Sequence, residues 1–267
     1  MTVPALDLGG TKFAAAAVSA DGELLARAEL LLEPAVLAER TLLDVIEAIT
    51  RVVPVKTVEE TLPERAVRLA GDAQCMALGE WWRGGSGTAR AMLGLVVSTG
   101  VGGGIVLDGL PYTGPTGNAG HIGHLAADPG GPLCPYGATG CVEIYASGPN
   151  MAAWARDQGW DGPDAKHLTA NAAAGDVIAT RAFERAARAL AIGILSSAVL
   201  LDLDHVVIGG GVAAAGPTLF GPLGRAVREN AGFSFPRRLR AEPTRLGRDA
   251  GLLGAAALVL NPPRSTP

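Results

Sequence analysis

The sequence is poor in aromatic residues, cysteine and long apolar runs, and each shortage excludes a class of protein. Only 4% of its 267 residues are aromatic and three are cysteine. Three cysteines argue against a disulfide framework. No apolar run reaches the roughly 20 residues needed to cross a bilayer. The first residues lack a signal-peptide pattern, so we expect a cytoplasmic protein with no membrane partner. A net charge of −4 lacks the basic excess of a nucleic-acid-binding protein.

Apolar residues (48%) and 37 glycines are abundant, which is typical of an α/β protein with many tight turns. The apolar pattern and the turn residues predict the secondary structure. Strands are expected at 3–8, 13–18, 23–31, 66–69, 94–98, 103–107 and 205–208. Helices are expected at 38–52, at 73–82, at 176–201 with Asp176 as a cap, and from Asp249 onward.

Two glycine-rich turns between strands offer backbone N–H groups and hydroxyls to a phosphate. The first contains Asp7, Gly9, Gly10, Thr11 and Lys12, and the second contains Ser98, Thr99, Gly100, Gly102 and Gly103. The first is not a Walker A loop, because a strand rather than a helix follows the lysine. Each turn by itself is equally typical of an ordinary glycine hairpin.

A third glycine turn follows the strand at 205–208 and contains Gly209, Gly210, Gly211 and Val212. Its spacing matches a dinucleotide-binding fingerprint only loosely. It suits a close approach under an adenosine and plain strand-to-helix packing equally well.

Asp72 stands between a predicted strand and a predicted helix, a position from which a carboxylate can project into a cleft. A fixed, partly desolvated carboxylate is what a general base for a sugar hydroxyl requires. The alternative role for Asp72 is that of a helix N-cap.

Histidine, cysteine and acid are concentrated in a long irregular segment. His121 and His124 follow Asn118, and Cys134, Cys141 and Glu143 come next. Histidine with cysteine suggests zinc, and Glu143 could bond sugar hydroxyls. Three ligands make an incomplete structural zinc site, so buried cysteines and a hydrogen-bonded histidine remain the alternative.

Taken in order, DLGGTK, STGVGGG, GNAGHIGH with a downstream Cys-x6-Cys-x-Glu, IGGGV and DAGLLGAAAL resemble the ROK family of sugar kinases and repressors. AGHIGH, ADPGGPLC, GCVE and GPDAK are most similar to the bacterial N-acetylmannosamine kinases of that family. The resemblance implies an α/β fold of the actin-like, ribonuclease H-like type with two lobes. The lobes would be 1–92, with the helix 249–260 packing back on it, and 93–248.

The resemblance also implies roles for individual residues. Asp72 would be the base for the sugar 6-hydroxyl, and ATP and Mg²⁺ would lie in the cleft with Asp7 near the ion. Phosphates would lie on 7–12 and 98–103, and the adenosine near 209–212. The sugar would contact His121, His124 and Glu143, and the protein would be a homodimer.

Three departures from the family pattern stand out. Gly71 occupies the place of an asparagine that bonds the sugar, and Tyr136 replaces one zinc-binding cysteine. Between about Val52 and Val55 a strand, a sugar-facing loop and a helix are missing, so the first lobe is shortened.

These departures leave several functional interpretations. A sugar kinase is favoured, specifically one for N-acetylmannosamine or, alternatively, glucose. A relative that binds sugar or nucleotide without turnover is second. A DNA-binding repressor is third, because such proteins add a helix-turn-helix before the first strand. A nicotinamide-dependent enzyme is the weakest.

Overall fold

The computed structural model describes residues 2–8, 12–31, 68–232, 234, 239 and 241–261. The chain begins with an antiparallel sheet of three strands, β1 (Thr2–Leu8), β2 (Lys12–Ser19) and β3 (Leu24–Leu31), in the order β1-β2-β3. Asp21 and Gly22 form the turn after β2, where Gly22 has φ +75°. The predicted opening meander is therefore confirmed.

A second sheet has mixed strand directions. Its strands are β4 (Ala91–Val97), β5 (Val101–Leu107), β6 (Leu110–Tyr112), β7 (His205–Gly209) and β8 (Ala241–Pro243). Their order is β6-β5-β4-β7-β8. β5 pairs antiparallel with β4 and β6, whereas β7 pairs parallel with β4 and β8. The C-terminal ends of β5 and β7 therefore lie on opposite sides of the sheet. The β4–β5 turn lies on the same side as the C-terminal end of β7.

Seven α-helices lie within the described residues. They are α1 (Asp72–Trp82), α2 (Val142–Ala146), α3 (Gly148–Asp157), α4 (Ala165–Ala173), α5 (Val177–Leu201), α6 (Pro217–Asn230) and α7 (Ala250–Leu260). The Asp176 carboxylate accepts a hydrogen bond from Ala179 N at 2.7 Å, so the predicted cap of the longest helix is confirmed. None of the helices described is long and apolar enough to cross a membrane.

α1 packs directly on the second sheet because the facing strands carry glycine. A Cβ placed at Gly94 of β4 would lie 2.5 Å from the Cβ of Ala77, and one at Gly104 of β5 would lie 2.5 Å from the Cα of Gln74. Carbon atoms do not approach so closely, so only glycine permits this packing distance. The close packing fixes the position of the first residue of α1 relative to the β4–β5 turn.

α7 packs on both β1 and α1, and so links the first sheet to the rest of the molecule. Its buried residues Leu252, Leu253 and Ala256 form one apolar cluster with residues of β1 and β2 such as Ala5 and Val18. The last helix therefore lies against the first strands. The division into lobes at residue 92 stays a prediction.

The largest apolar cluster surrounds α5. It includes Leu190 and Ile194 of this helix, Leu95 of β4 and Ile208 of β7, all with no exposed surface. Small alanines along α5 let neighbouring helices approach, which accounts for a large core in a chain with few aromatic residues.

Two predicted elements need comment. The predicted helix 38–52 and the short connection at Val52–Val55 lie outside the described residues, as do two residues of the predicted strand 66–69. The other two, Arg68 and Leu69, are not in a strand, so that prediction is wrong for them. Leu69 is 91% exposed, so its apolar side chain lacks the burial that would hold it in a sheet.

Candidate active site

Asp72 is the first residue of α1, and its carboxylate is exposed to solvent. Its Oδ1 accepts a hydrogen bond from Ala73 N at 2.7 Å. The N-cap is Gly71, so the alternative role of Asp72 as the cap is wrong. A Cβ added at Gly102 in β5 would lie 3.1 Å from the Cβ of Ala73, which places the start of α1 beside the β4–β5 turn.

Asp7 lies near Asp72, at the end of β1. Burial, and then the negative charge of Asp72, raise the pKa of Asp7 above its ordinary value, while Lys12 opposes the shift. Burial and these two carboxylates also raise the pKa of the Cys75 thiol to about 12, so this cysteine is protonated and unreactive at neutral pH. A Cβ at Gly251 would lie 3.2 Å from Asp7 Oδ2, so the carboxylate lies close to the first turn of α7.

The first predicted phosphate turn is only partly described. Gly9, Gly10 and Thr11 lie outside the described residues. Lys12 begins β2, which excludes a Walker A loop as predicted, and its Nζ lies 3.3 Å from Glu29 Oε2. This ion pair with Glu29 partly offsets the charge of Lys12 and so weakens its attraction to a phosphate.

The second predicted phosphate turn connects β4 to β5 and is held by contacts from two sides. Glu143 Oε2 accepts a hydrogen bond from Val101 N at 2.8 Å, and Ser98 O accepts one from Gly148 N at 2.8 Å. Ser98, Thr99 and Gly100 form the turn itself. Gly102 and Gly103 lie within β5, where they contact protein.

A cavity of about 590 Å³ opens beside this turn. Its walls come from the β4–β5 turn, the first turns of α3 and α4, and the turn after β7. Among the predicted nucleotide residues, Ser98, Thr99, Gly211 and Val212 line it. Gly209 ends β7, and Gly210 has φ +96°, where an added Cβ would collide with Val97 O, so these two glycines serve the turn. A cavity of this size fits a nucleoside.

The turn after β7 is joined to the β4–β5 turn by a backbone hydrogen bond from Val212 N to Val97 O at 2.9 Å. Two of the predicted glycine turns therefore form one wall, although they are more than 100 residues apart. Asp164 and Lys166, at the start of α4, also line this cavity, and the sequence analysis gave neither of them a role.

The segment carrying Asn118, His121 and His124 packs against β5 and α1. Gln74 Nε2 donates to Gly117 O at 3.0 Å, and Gln74 Oε1 accepts from Gly71 N at 3.1 Å. Gln74 therefore ties this segment to the start of α1, a positioning role that the sequence analysis missed. Its only signal in the sequence is a glutamine at the third position of a helix.

Asn118 and His121 are both exposed. Asn118 Nδ2 donates to Thr116 O at 3.1 Å and to its hydroxyl at 3.2 Å. The rings of His121 and His124 are stacked with centroids 6.0 Å apart. Both histidines are exposed, so their rings are accessible to a ligand.

His124, Cys134 and Cys141 each offer a ligand atom, and these atoms lie within 4.8 Å of one another. Such spacing fits a zinc ion at three corners of a tetrahedron. Tyr136 N donates to Cys134 Sγ at 3.3 Å, and the Tyr136 ring meets His124 edge-on at 4.9 Å. The side chain of Tyr136 is 75% exposed, and no fourth His, Cys, Asp or Glu among the described residues joins the group.

Burial opposes ionisation of both thiols, but hydrogen bonds from the backbone of Tyr136 and Ala138 and from Cys141 outweigh it at Cys134. The pKa of Cys134 lies below its ordinary value, while burial raises that of Cys141. The donor set therefore provides one thiol that ionises readily, as a metal ligand must.

Comparisons with known proteins agree with this geometry. A sequence profile of the ROK family matches residues 50–261. An N-acetylmannosamine kinase of Escherichia coli O7:K1 is 37% identical over 297 aligned positions, which cover 97% of this chain and 99% of that protein. The alignment is longer than the 267-residue chain, so this chain lacks segments that the relative has.

Solved structures agree as well. A ROK family glucokinase from Streptomyces griseus in complex with glucose and AMPPNP has a TM-score of 0.79 and 27% identity, covering 97% of this chain and 99% of that one. A ROK hexokinase from Thermus thermophilus has a TM-score of 0.79 and 32% identity, covering 96% and 97%. The chain has an α/β fold with two sheets and a shortened first part. The profile match over residues 50–261 shows that it belongs to the ROK family.

Proposed function

We propose that this protein is an ATP-dependent sugar kinase that phosphorylates the 6-hydroxyl of a hexose or N-acetylhexosamine, with N-acetylmannosamine as its substrate. The observation that carries the proposal is the position of Asp72. This exposed carboxylate lies beside the turn at Ser98–Gly100, so an acid that can accept a proton adjoins a turn that can hold a phosphate. Similarity to an N-acetylmannosamine kinase over nearly the whole chain supports the choice of sugar.

Asp72 would act as the general base. Its Oδ1 is held by Ala73 N, which leaves Oδ2 free to accept the proton of the sugar hydroxyl as that oxygen attacks the terminal phosphorus of ATP. Phosphoryl transfer depends mainly on positioning and charge compensation. The close packing of α1 on the glycines of β4 and β5 supplies that positioning.

ATP would lie with its adenosine in the cavity lined by Gly211 and Val212 and its phosphates toward Ser98, Thr99 and Gly100. The backbone N–H groups of this turn would bond phosphate oxygens. Lys12, Gly9, Gly10 and Thr11 would act from the first turn. Mg²⁺, when bound, neutralises charge on the phosphates, and Asp7 is the carboxylate placed to hold it, through water.

The sugar would contact His121, Asn118 and Glu143. Glu143 is suited to orient the sugar because one of its oxygens accepts a hydrogen bond from Val101 N. This bond fixes the direction of the other oxygen. Gln74 would keep the 117–119 segment at the correct distance from Asp72. We assign His124 with Cys134 and Cys141 to a structural zinc ion, which would order the segment that carries the sugar-binding side chains.

A second candidate is a relative that binds sugar or nucleotide without turnover. Two observations favour it: Gly71 removes a sugar-binding amide, and the chain lacks segments present in its relatives. The two candidates differ only in catalysis.

The deciding experiment is a measurement of ADP release with N-acetylmannosamine, N-acetylglucosamine, glucose and mannose, each for the wild type and for Asp72→Asn. We expect turnover with N-acetylmannosamine. Asp72→Asn should lower it by about 10²-fold or more, since general-base catalysis contributes about 10²–10⁴-fold. ATP binding, measured separately, should be nearly unchanged in the variant.

Turnover with glucose alone would make the protein a glucokinase. ATP binding without turnover on any sugar would establish the second candidate. An equal loss of ATP binding and turnover in Asp72→Asn would remove Asp72 from the role of base.

A further inference from the structure

A second cavity, of about 540 Å³, lies on the exposed side of α5. It is formed by α5, α3, α2 and the loop at Ala127 and Asp128. None of its lining residues belongs to the candidate nucleotide, sugar or zinc sites. We call this cavity the α5 pocket. The lining residues that determine its chemistry are Asp128, Tyr145, Trp154, Arg181, Glu184, Arg185 and Arg188.

Arg185 is the central residue of the α5 pocket. Its guanidinium lies over the Tyr145 ring at 4.0 Å and over the Trp154 ring at 5.4 Å. The side chain is half-buried, and burial lowers the pKa of Arg185 against the opposing effect of Asp128. Among the residues that the structure describes, no carboxylate forms an ion pair with it.

Arg185 lines the α5 pocket and has donors that can reach a ligand there. No hydrogen bond from its guanidinium to a described residue is present, and no buried side-chain nitrogen in this part of the chain lacks a partner. Its N–H groups must therefore be accessible to solvent. A guanidinium that lies over two aromatic rings and keeps accessible donors can form two parallel bonds to an oxyanion.

The aromatic support of Arg185 is itself fixed. Tyr145 OH donates to Asp128 Oδ2 at 2.8 Å, and Gly130 N donates to Asp128 Oδ1 at 3.0 Å. Both oxygens of Asp128 are thus held by Tyr145 and the loop backbone, so Asp128 acts on Arg185 through its charge and not through an ion pair.

Arg181 and Arg188 stand four residues before and three residues after Arg185, and so share one face of α5. Both are exposed and make no ion pair within the described part of the chain. Glu184, which also lines the pocket, supplies one negative charge. Three guanidiniums against the carboxylates of Glu184 and Asp128 leave the pocket with a positive excess, which favours an anionic ligand.

We propose that the α5 pocket binds a phosphate monoester, with Arg185 as the bidentate ligand and Arg181 and Arg188 as supporting charges. A phosphate monoester carries about −1.5 to −2 charge at neutral pH. The cavity has room for a sugar-sized skeleton beside the phosphate, resting on Trp154, Ala189 and Ile192. This site is separate from the one at which the proposed reaction would occur.

The test is isothermal titration of the full chain with inorganic phosphate and with glucose 6-phosphate, with glucose as the uncharged control. We expect both phosphates to bind, glucose 6-phosphate more tightly. Arg185→Gln should weaken binding by at least tenfold and Arg181→Gln by a few-fold. Glu184→Gln should strengthen it, because a repelling charge is removed. Arg225→Gln, an exposed arginine on α6, is the matched control and should bind like the wild type.

Circular dichroism will show whether Arg185→Gln folds. If this variant does not fold, Arg181→Gln and Arg188→Gln still test the proposal, because both arginines are exposed. The proposal is wrong if phosphate affinity is the same in the wild type, Arg185→Gln and Arg181→Gln. It is equally wrong if neither phosphate binds at millimolar concentration. A change of oligomeric state in Arg185→Gln at unchanged phosphate affinity would instead assign the pocket to a contact between two copies of the chain.

Discussion

Gly71 precedes the proposed base and lies in a backbone conformation that any residue can adopt, with φ −63° and ψ 150°. A Cβ added there would meet only the Gln74 side chain, at 3.8 Å, which is an ordinary contact distance. An asparagine would therefore fit without strain. Within the described residues nothing in the structure requires glycine at this position.

We predict that Gly71→Asn lowers the KM for the sugar by about fivefold, since one added hydrogen bond contributes about 1 kcal/mol. Steady-state kinetics at saturating ATP measures this. Gly71→Ala is the control, because it adds the Cβ without the amide and should leave KM unchanged. Equal effects of alanine and asparagine would attribute the change to the backbone and contradict a direct sugar contact.

Asp7 carries a charge that the folded protein disfavours. Because burial and Asp72 raise its folded pKa above the unfolded value, the folded state binds the proton more tightly, and stability falls as pH rises between the two pKa values. Asp7→Asn removes this cost. We predict that, without Mg²⁺, the variant melts a few degrees above the wild type at pH 8 and that this difference shrinks toward pH 4.

Melting curves of both proteins across that range in EDTA will check the prediction. Asp21→Asn, which changes an exposed turn carboxylate, serves as the control and should show no such trend. A difference between Asp7→Asn and the wild type that stays constant over the whole pH range would contradict the proposed cause.

At the scale of elements, the contact between α7 and α1 is made by glycine. A Cβ at Gly254 would lie 1.6 Å from Cys75 O, so the two helices touch through their backbones there. Any side chain must push α7 away from α1 and thereby move Asp7 relative to Asp72. By contrast, a Cβ at Gly224 of α6 would meet the flexible end of the Arg228 side chain at 3.4 Å.

We predict opposite effects for the same substitution at these two helical glycines. Gly254→Ala should lower the free energy of unfolding by about 1–3 kcal/mol, as overpacked cores do. Gly224→Ala should raise it by up to about 1 kcal/mol, because alanine favours the helix. Urea unfolding measures both. If Gly254→Ala stabilises the protein as Gly224→Ala does, the close backbone contact is not present.

Local signals explain which elements could be predicted from the sequence. The strands of the opening meander and the Asp176 cap depend on residues within a few positions of each other, and the structure agrees. The contacts of Gln74 with Gly117 and of Arg185 with Trp154 join residues that lie far apart in the chain. Periodicity and capping patterns contain no information about such pairs. The pocket on α5 was therefore not predictable, although the three arginines are visible in the sequence.

At the scale of the whole molecule, one loop connects the candidate zinc site to the rest of the candidate active site. Cys141 immediately precedes α2, which carries Glu143, and Leu125 O accepts a hydrogen bond from Val142 N at 2.9 Å, directly after His124. A metal ion on His124, Cys134 and Cys141 would join both ends of this long segment. Its binding free energy would then contribute to the stability of the folded protein.

We predict that a chelator lowers the melting temperature of the protein by several degrees and that added zinc restores it. With no fourth His, Cys, Asp or Glu among the described residues in the group, the fourth corner would be open to a chelator, so the loss should occur within minutes. Cys134→Ser should melt near the chelated wild type and respond little to the chelator. Cys75→Ala, which changes the buried thiol outside the cluster, should keep the full response. An unchanged melting temperature, together with no zinc in elemental analysis, would leave the two cysteines as buried apolar residues, and the segment would be held by contacts such as those of Gln74 and the backbone bond between Val142 and Leu125.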